Sequence, residues 1–125
     1  MKKAKGRAPT NLLVDAVVAG AQEVKGKDIV HLDLRSVPNT VSDHFIICHG
    51  DSATQVDAIA RSVQKFTLEH RNEKPWHTEG QQNGNWILLD YVDVVVHIFH
   101  RDQRAFYALE HLWSDAIRNN YENVA

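Results

Sequence analysis

The chain has 125 residues and a formal net charge of −2, with 43% apolar and 24% charged residues, which is typical of one soluble globular domain. This balance gives no bulk attraction to nucleic acid or anionic membranes, and no apolar run reaches the ~18 residues of a membrane span. The single cysteine, Cys48, cannot form an internal disulfide, which fits a reducing cytoplasm.

Both ends of the chain are predicted to lie outside one central domain. Residues 1–7 are basic, contain no acidic residue and are too few for a transit peptide, so residues 1–10 are predicted to form a flexible basic tail. We expect a single domain over residues 11–118 and a short C-terminal tail over residues 119–125.

The first predicted element is an amphipathic helix. Thr10 or Asn11 can cap its start, and Gly26 is predicted to end it. Apolar residues recur between these positions at helical spacing, namely Leu13, Val17, Ala21 and Val24. This spacing predicts a helix with one buried face.

Two strands and a second helix are predicted next. Residues 28–34 alternate, with Val30, Leu32 and Leu34 on one face. After a loop at residues 37–39, the strand at residues 44–49 is apolar on both faces, which predicts a central position in the sheet. Ser52 and Gln55 predict a capping box for a helix that extends to about His70. Its predicted buried stripe is Val56, Ile59, Ala60, Val63 and Phe66.

The second half of the chain predicts three more strands and a last helix. Residues 75–79 suit a short edge strand that tolerates proline, and residues 80–85 a loop. Strands are predicted at residues 86–90 and 93–99, with Asp102 capping the helix that follows. The predicted inner face of that helix is Phe106, Leu109, Trp113 and Ala116. The element order predicts an α+β fold, a mixed α/β sandwich of about five strands and three helices.

A two-residue turn at Tyr91 and Val92 would fix the pairing of the last two strands. Asp90 would then face Asp93, Leu88 would face Val95, and Trp86 would face His97. The opposite face is uniformly apolar and is the expected core face, formed by Ile87, Leu89, Val94, Val96 and Ile98.

The mixed face of this hairpin has two interpretations. Like charges directly opposite one another destabilise a strand pair, and an open tryptophan among aliphatic residues is typical of an interface. A partner's arginine or lysine would relieve the repulsion between Asp90 and Asp93. Alternatively, the C-terminal helix covers this face, because tryptophan is usually buried. The residues alone leave both interpretations open.

Residues 80–116 carry a family resemblance. They contain a strand led by Trp86, the turn aspartates Asp90 and Asp93, the strand VVHIF at residues 95–99 and the helix YALEHLW at residues 107–113. Together with SDHFII at residues 42–47, these motifs resemble the ribosomal silencing factor (RsfS/Iojap) family. Val92 departs from the family's usual glycine, and a β-branched residue resists the positive φ of a type I′ turn. Either the turn type differs or the loop is longer.

The resemblance implies a nucleotidyltransferase-like topology and a function on the ribosome. Family members bind the large subunit through a basic protein, the fourteenth of that subunit, and block small-subunit joining, which represses translation. On this basis the protein is expected to be cytoplasmic, not an enzyme, and free of cofactors and metals. The expected contacts with the ribosomal protein are Trp86, Leu88, Asp90, Tyr91 and Asp93, with Val95 and His97 added by face alternation. Trp113 and Tyr121 can pack on the core or serve a homodimer.

Two other classes of function remain as alternatives. A metal-dependent nucleotidyltransferase-like enzyme would need converging carboxylates, for which Asp33, Asp43, Asp90 and Asp93 are the available strand-end acids. An RNA-binding module would need a basic track, but lysine and arginine do not cluster outside the N-terminal tail. His31 and Asp33 share a strand face, yet two ligands do not make a zinc site. Cys48 is predicted to be a buried filler, because it lies in an apolar run.

Overall fold

A computed structural model of the chain describes residues 7–40, 42–80 and 84–124. Within these ranges the chain forms four helices and six strands. The helices are α1 (Arg7–Glu23), α2 (Ala53–Arg71), α3 (Arg101–Tyr107) and α4 (Leu109–Leu112). The strands are β1 (Lys27–Asp33), β2 (His44–Gly50), β3 (His77–Glu79), β4 (Trp86–Asp90), β5 (Val94–His100) and β6 (Ile117–Asn120).

The strands form one mixed sheet in the order β3-β4-β5-β2-β1-β6. The β2–β5 pair is parallel, and the other pairs are antiparallel. The predicted α+β fold, the central position of β2 and the edge position of β3 are therefore confirmed. The sheet has six strands rather than about five, because β6 pairs with β1 through Val30 and Asn120. The described helices include none long and apolar enough to cross a membrane.

Helices α1 and α2 cover one face of the sheet. The whole apolar face predicted for the last hairpin is fully buried beneath them, at Ile87, Leu89, Val94, Val96 and Ile98. A second buried cluster lies on the opposite face and contains Val30, Leu32 and Leu34, the three residues predicted to share one side of β1. Leu109 and Trp113 pack against this second cluster from the C-terminal segment.

Helix α1 begins earlier than predicted. Its first residue is Arg7, so Thr10 and Asn11 lie inside the helix and do not cap it. Residues 1–6 of the predicted basic tail lie outside the described residues. At the other end, Gly26 N donates to Ala21 O over 2.8 Å, but Lys25 holds the left-handed conformation, with φ of 61°. The helix thus closes in a Schellman motif that has a lysine where glycine is usual.

Helix α2 is capped by Ser52, as predicted. The Ser52 Oγ accepts from Gln55 N over 3.1 Å, whereas Gln55 Oε1 accepts from Asp51 N, one residue before the cap. Phe66 is only partly buried, and Thr67 takes the inner position that the helical spacing gave to Phe66. The helix ends at Arg71, one residue beyond the predicted end.

The Ser52→Ala variant is expected to lose about 1 kcal/mol of unfolding free energy, because the N–H of Gln55 loses its side-chain acceptor. Urea denaturation followed by circular dichroism would measure this loss. Thr54→Ala, an exposed change in the same helical turn, is the control and should stay within about 0.5 kcal/mol of the unmodified protein. Equal losses in both variants would contradict the capping role.

The predicted C-terminal helix is broken. Ala108 adopts φ of 49°, which separates α3 from the single turn of α4, and the cap of α3 is His100 rather than Asp102. The break leaves Phe106 78% exposed, so the prediction that it shares the inner face with Leu109 and Trp113 was wrong. The chain then enters β6, whose pairing continues through Asn120, past the boundary predicted at residue 118.

Candidate interaction face

The hairpin of β4 and β5 pairs two residues out of the predicted register. Trp86 faces Phe99, Leu88 faces His97, and Asp90 faces Val95. Tyr91 N donates to Val94 O over 2.8 Å, so the turn residues are Val92 and Asp93 rather than Tyr91 and Val92. The expected opposition of Asp90 and Asp93 was therefore wrong. A shift of two keeps the side chains within β4 and β5 on their predicted faces, because side chains alternate with a period of two, whereas Asp93 moves from the strand into the turn.

The turn itself is tightly held. Val92 has φ of 77°, and Asp93 N donates to Tyr91 O over 3.0 Å, which is the pattern of a strained γ-turn. Asp90 Oδ1 accepts from Val92 N over 2.8 Å, and the Ser42 hydroxyl donates to Asp93 O over 2.9 Å. These bonds offset the strain of a β-branched residue at positive φ, about 1–3 kcal/mol.

Trp86 is partly buried in an aromatic stack on the face away from α1 and α2. Its ring centroid lies 4.9 Å from that of Phe99 and 4.5 Å from that of Tyr107 on α3. The indole Nε1 donates to His97 Nδ1 over 3.3 Å. The C-terminal segment therefore covers one side of Trp86, which fixes the ring while part of it stays exposed.

Two depressions on this face flank Leu88. One of about 320 Å³ is lined by Trp86, Leu88 and Tyr107, among others. The other, of about 400 Å³, is lined by Ser42, Trp76, Asp90, Val92 and Val95. We call this surface the hairpin face, which is the accessible part of Trp76, Trp86, Leu88, Asp90, Val92, Asp93 and Val95.

Sequence reasoning missed Trp76. Its side chain is 79% exposed, and its backbone N donates to Asp90 O over 2.7 Å, which ties it to the end of β4. A lone aromatic residue after Pro75 in a short edge segment has no periodicity, so only its exposure in the fold identifies it. Trp76 and Trp86 thus lie near opposite ends of β4, each lining one of the two depressions, and tryptophan is enriched at recognition surfaces.

Three of the predicted contact residues are buried, namely Tyr91, His97 and Val95, and of these only Val95, at 8% exposed, lines a depression of the hairpin face. Tyr91 is only 7% exposed and packs in the core under α1 and α2, with its hydroxyl 2.8 Å from Thr67 Oγ1. Burial raises the pKa of Tyr91 to about 12, so the hydroxyl stays protonated. His97 is 5% exposed and lies beneath Trp86. Neither side chain is open to a partner, whereas Leu88 and Asp90 are partly exposed and Asp93 is exposed.

The turn end of the hairpin face is acidic. Asp43 and Asp93 are exposed and Asp90 is partly exposed, and Asp43 N donates to Asp93 O over 3.1 Å, which brings their backbones together. Asp33, at the nearby end of β1, adds no unpaired negative charge, because both of its carboxylate oxygens accept hydrogen bonds from Arg35. The arrangement favours contact with a cationic surface.

The buried titratable groups keep neutral or paired states. Burial and the neighbouring His44 lower the pKa of His31 to about 4, and its Nε2 lies 2.7 Å from His44 Nδ1. The hydrogen bonds from Arg35 lower the pKa of Asp33 to about 2. In the described part of the chain no three histidine, cysteine, aspartate or glutamate residues group as metal ligands would. Burial raises the pKa of Cys48 to about 12, which confirms it as a buried, protonated filler.

Known proteins resemble the chain along most of its length. A family model described as ribosomal silencing factor during starvation matches residues 7–125. The ribosomal silencing factor RsfS of Halalkalibacterium halodurans is 39% identical over 112 residues, which cover 90% of this chain and 94% of that protein. RsfS of Bacillus subtilis is 39% identical over 104 residues, covering 83% and 86%. A crystal structure of a Chromobacterium violaceum protein has a TM-score of 0.77 at 34% identity, covering 83% of this chain and 85% of that one.

Proposed function

The chain belongs to the ribosomal silencing factor family, and we propose that it represses translation by binding the large ribosomal subunit through the hairpin face. The partly exposed Trp86, held in place by Tyr107, Phe99 and His97, is the observation that carries this proposal. A tryptophan that is already ordered loses little side-chain entropy on binding, so more of its contact energy contributes to affinity. The proposal places the protein in the cytoplasm, where ribosomal subunits join.

The partner is proposed to be a basic protein of the large subunit, its fourteenth. Asp43, Asp90 and Asp93 lie at the turn end of the face, and Trp76 and Trp86 contribute exposed and partly exposed apolar surface to its two depressions. Bare RNA would meet these carboxylates with like charge, whereas a protein rich in arginine and lysine would meet them with opposite charge. Charge complementarity therefore supports a protein contact rather than a contact with the RNA backbone.

Repression would follow from steric exclusion. A domain of 125 residues seated on the surface of the large subunit that meets the small subunit would occupy space needed for subunit joining. This mechanism needs binding alone and no chemical step. It predicts that repression in a translation assay follows occupancy of the large subunit and is relieved by variants that weaken binding.

The Trp86→Ala variant is expected to bind the large subunit roughly 30-fold more weakly, which corresponds to about 2 kcal/mol for a central aromatic contact. Co-sedimentation of the purified protein with isolated large and small subunits would measure this loss. Leu68→Ala, an exposed apolar change on α2 at the other side of the sheet, is the matched control and should bind normally.

Trp86 also packs on Phe99 and Tyr107, so its removal can disturb the fold. A second variant, Asp93→Lys, changes only an exposed turn side chain, with Glu69→Lys on α2 as the matched charge reversal. We expect Asp93→Lys to bind the large subunit more weakly and Glu69→Lys to bind it as the unmodified protein does. Normal binding by both hairpin variants would move the contact elsewhere, and failure of the unmodified protein to bind either subunit would reject the proposed function.

A further inference from the structure

A second concave surface lies at the carboxyl ends of the parallel strands β2 and β5, away from the hairpin turn. It has a volume of about 580 Å³ and is lined by side chains from β2, α3, α4 and the segment that ends in β6. The lining residues that matter here are His49, Arg101, Arg104, Glu110, Ser114 and Arg118. Ligands of open α/β sheets commonly bind just beyond the carboxyl ends of parallel strands, and this volume lies in the range of small-molecule sites, about 300–1,000 Å³.

The depression is basic in a protein whose net charge is negative. Among its described lining residues, three arginines accompany one glutamate. Arg104 Nη2 donates to Glu110 Oε2 over 2.8 Å, and Nε donates to Oε1 over 3.4 Å. Burial would raise the pKa of Glu110, but these bonds and the charge of Arg104 outweigh it and hold that pKa below its ordinary value. The glutamate is thus neutralised by Arg104, which leaves the charges of Arg101 and Arg118 in excess.

Arg104 forms the floor of the depression, and its guanidinium N–H groups are already bonded within the protein. Its Nη1 also donates to Lys27 O over 3.3 Å and to His49 Nδ1 over 2.9 Å. Because a guanidinium only donates, Nδ1 of His49 is an acceptor and the proton of the neutral ring is on Nε2. Burial and the charge of Arg104 lower the pKa of His49, which favours this neutral form. His49 therefore lines the depression as a hydrogen-bond donor.

Arg101 and Arg118 remain available to a ligand. Their side chains are 61% and 47% exposed. Arg101 lies 3.9 Å from Asp51 and 3.7 Å from Asp102, and Arg118 lies 3.9 Å from Glu110. The two exposed pairs of Arg101 contribute about 0–1 kcal/mol, and the 3.9 Å contact of Arg118 with Glu110 is long for a charge-assisted hydrogen bond. A doubly charged anion that two guanidinium groups bind at once would replace them, because each guanidinium can make two parallel bonds to a phosphate.

We propose that this basic depression binds a small phosphorylated ligand of nucleotide size, with Arg101 and Arg118 holding its phosphates and with His49 and Ser114 as neutral donors. Its charge is concentrated in the three arginines that line one concave surface of about 580 Å³, which suits the phosphates of a compact ligand such as a free nucleotide. This site is separate from the hairpin face, and its test does not require the ribosome.

Isothermal titration of the full chain with ATP, inorganic pyrophosphate and adenosine, in matched ionic strength without magnesium, tests this proposal. We expect saturable binding of ATP and pyrophosphate and none of adenosine. Arg101→Ala and Arg118→Ala should each weaken ATP binding about tenfold, as expected for loss of one charge-assisted contact. Arg61→Ala, an exposed arginine on α2, is the control and should bind as the unmodified protein does.

Three outcomes would overturn the site. One is the absence of heat from ATP and pyrophosphate at millimolar concentration. Another is equal affinity in Arg61→Ala and in the two depression variants. The third is an identical response to sodium sulfate, which would indicate a general anion effect. Circular dichroism of each variant checks that these exposed substitutions leave the fold intact.

Discussion

Replacement of Phe99 with alanine is expected to lower the free energy of unfolding by about 4 kcal/mol and the melting temperature by roughly 10–20 °C. Phe99 is fully buried on β5, in the cluster with Val30, Leu32 and Ile47. Its removal leaves a cavity between the sheet and the C-terminal segment, and a rigid interior closes such a cavity only in part. Urea denaturation and a thermal melt would measure both quantities.

The matched control is Phe106→Ala on α3. Its ring is exposed, so its loss should change the unfolding free energy by less than about 0.5 kcal/mol. Comparing the two variants also tests which face of α3 is buried, because the sequence pattern alone predicted that Phe106 faces the core. A large loss of unfolding free energy in Phe106→Ala and a small one in Phe99→Ala would contradict the assignment of Phe99 to the second buried cluster.

Acidification should destabilise the protein through His97. Burial lowers the pKa of His97 in the folded state to about 4, whereas the unfolded chain has an ordinary value of about 6.5. Below pH 6.5 the unfolded state therefore binds a proton that the folded state does not, and stability falls until the pH reaches about 4. The full difference corresponds to about 3 kcal/mol. Above pH 6.5 both states are neutral, and this residue adds no pH dependence.

The His97→Gln variant isolates this effect. Glutamine keeps an acceptor for the indole N–H of Trp86 and does not titrate, so the stability lost between pH 7 and pH 4 should be about 3 kcal/mol smaller than in the unmodified protein. His31, whose pKa is also lowered to about 4, contributes to the slope of both proteins and cancels in the comparison. Parallel urea titrations at the two pH values would measure it, and identical slopes would rule out His97 as the source.

Periodicity predicted those elements whose side chains alternate between water and the core. The apolar face of the last hairpin and the stripe of α2 follow from such patterns and lie where they were predicted, except that Thr67 replaces Phe66 in the stripe. The central position of β2 follows instead from its being apolar on both faces. β6 could not be predicted in this way, because its sequence IRNN does not alternate and all four of its residues are exposed. Its pairing with β1 depends on backbone bonds and on Asn119, whose side-chain Nδ2 lies 3.2 Å from His31 Nδ1.

The face that bears Trp86 could be predicted, but its boundary could not. Alternation put Trp86, Leu88 and Asp90 on one side whatever the register. Tyr91 was expected as a contact from the family resemblance, whereas the same alternation places it with Ile87 and Leu89 on the core face. There its hydroxyl lies 2.8 Å from that of Thr67, a partner 24 residues away in sequence. The basic depression depends likewise on contacts such as Arg104 to His49, 55 residues apart, which no local pattern encodes.

The two outermost strands of the sheet have a consequence for crowded solutions. β3 has three residues and β6 has four, so either edge of the described sheet offers only a short row of open backbone groups. Edge strands are where other chains add by main-chain pairing, and shortness together with charge is how natural proteins limit it. Glu79 on one edge and Arg118 on the other are charged in this way. The short, charged edges therefore limit main-chain pairing between copies of the protein at high concentration.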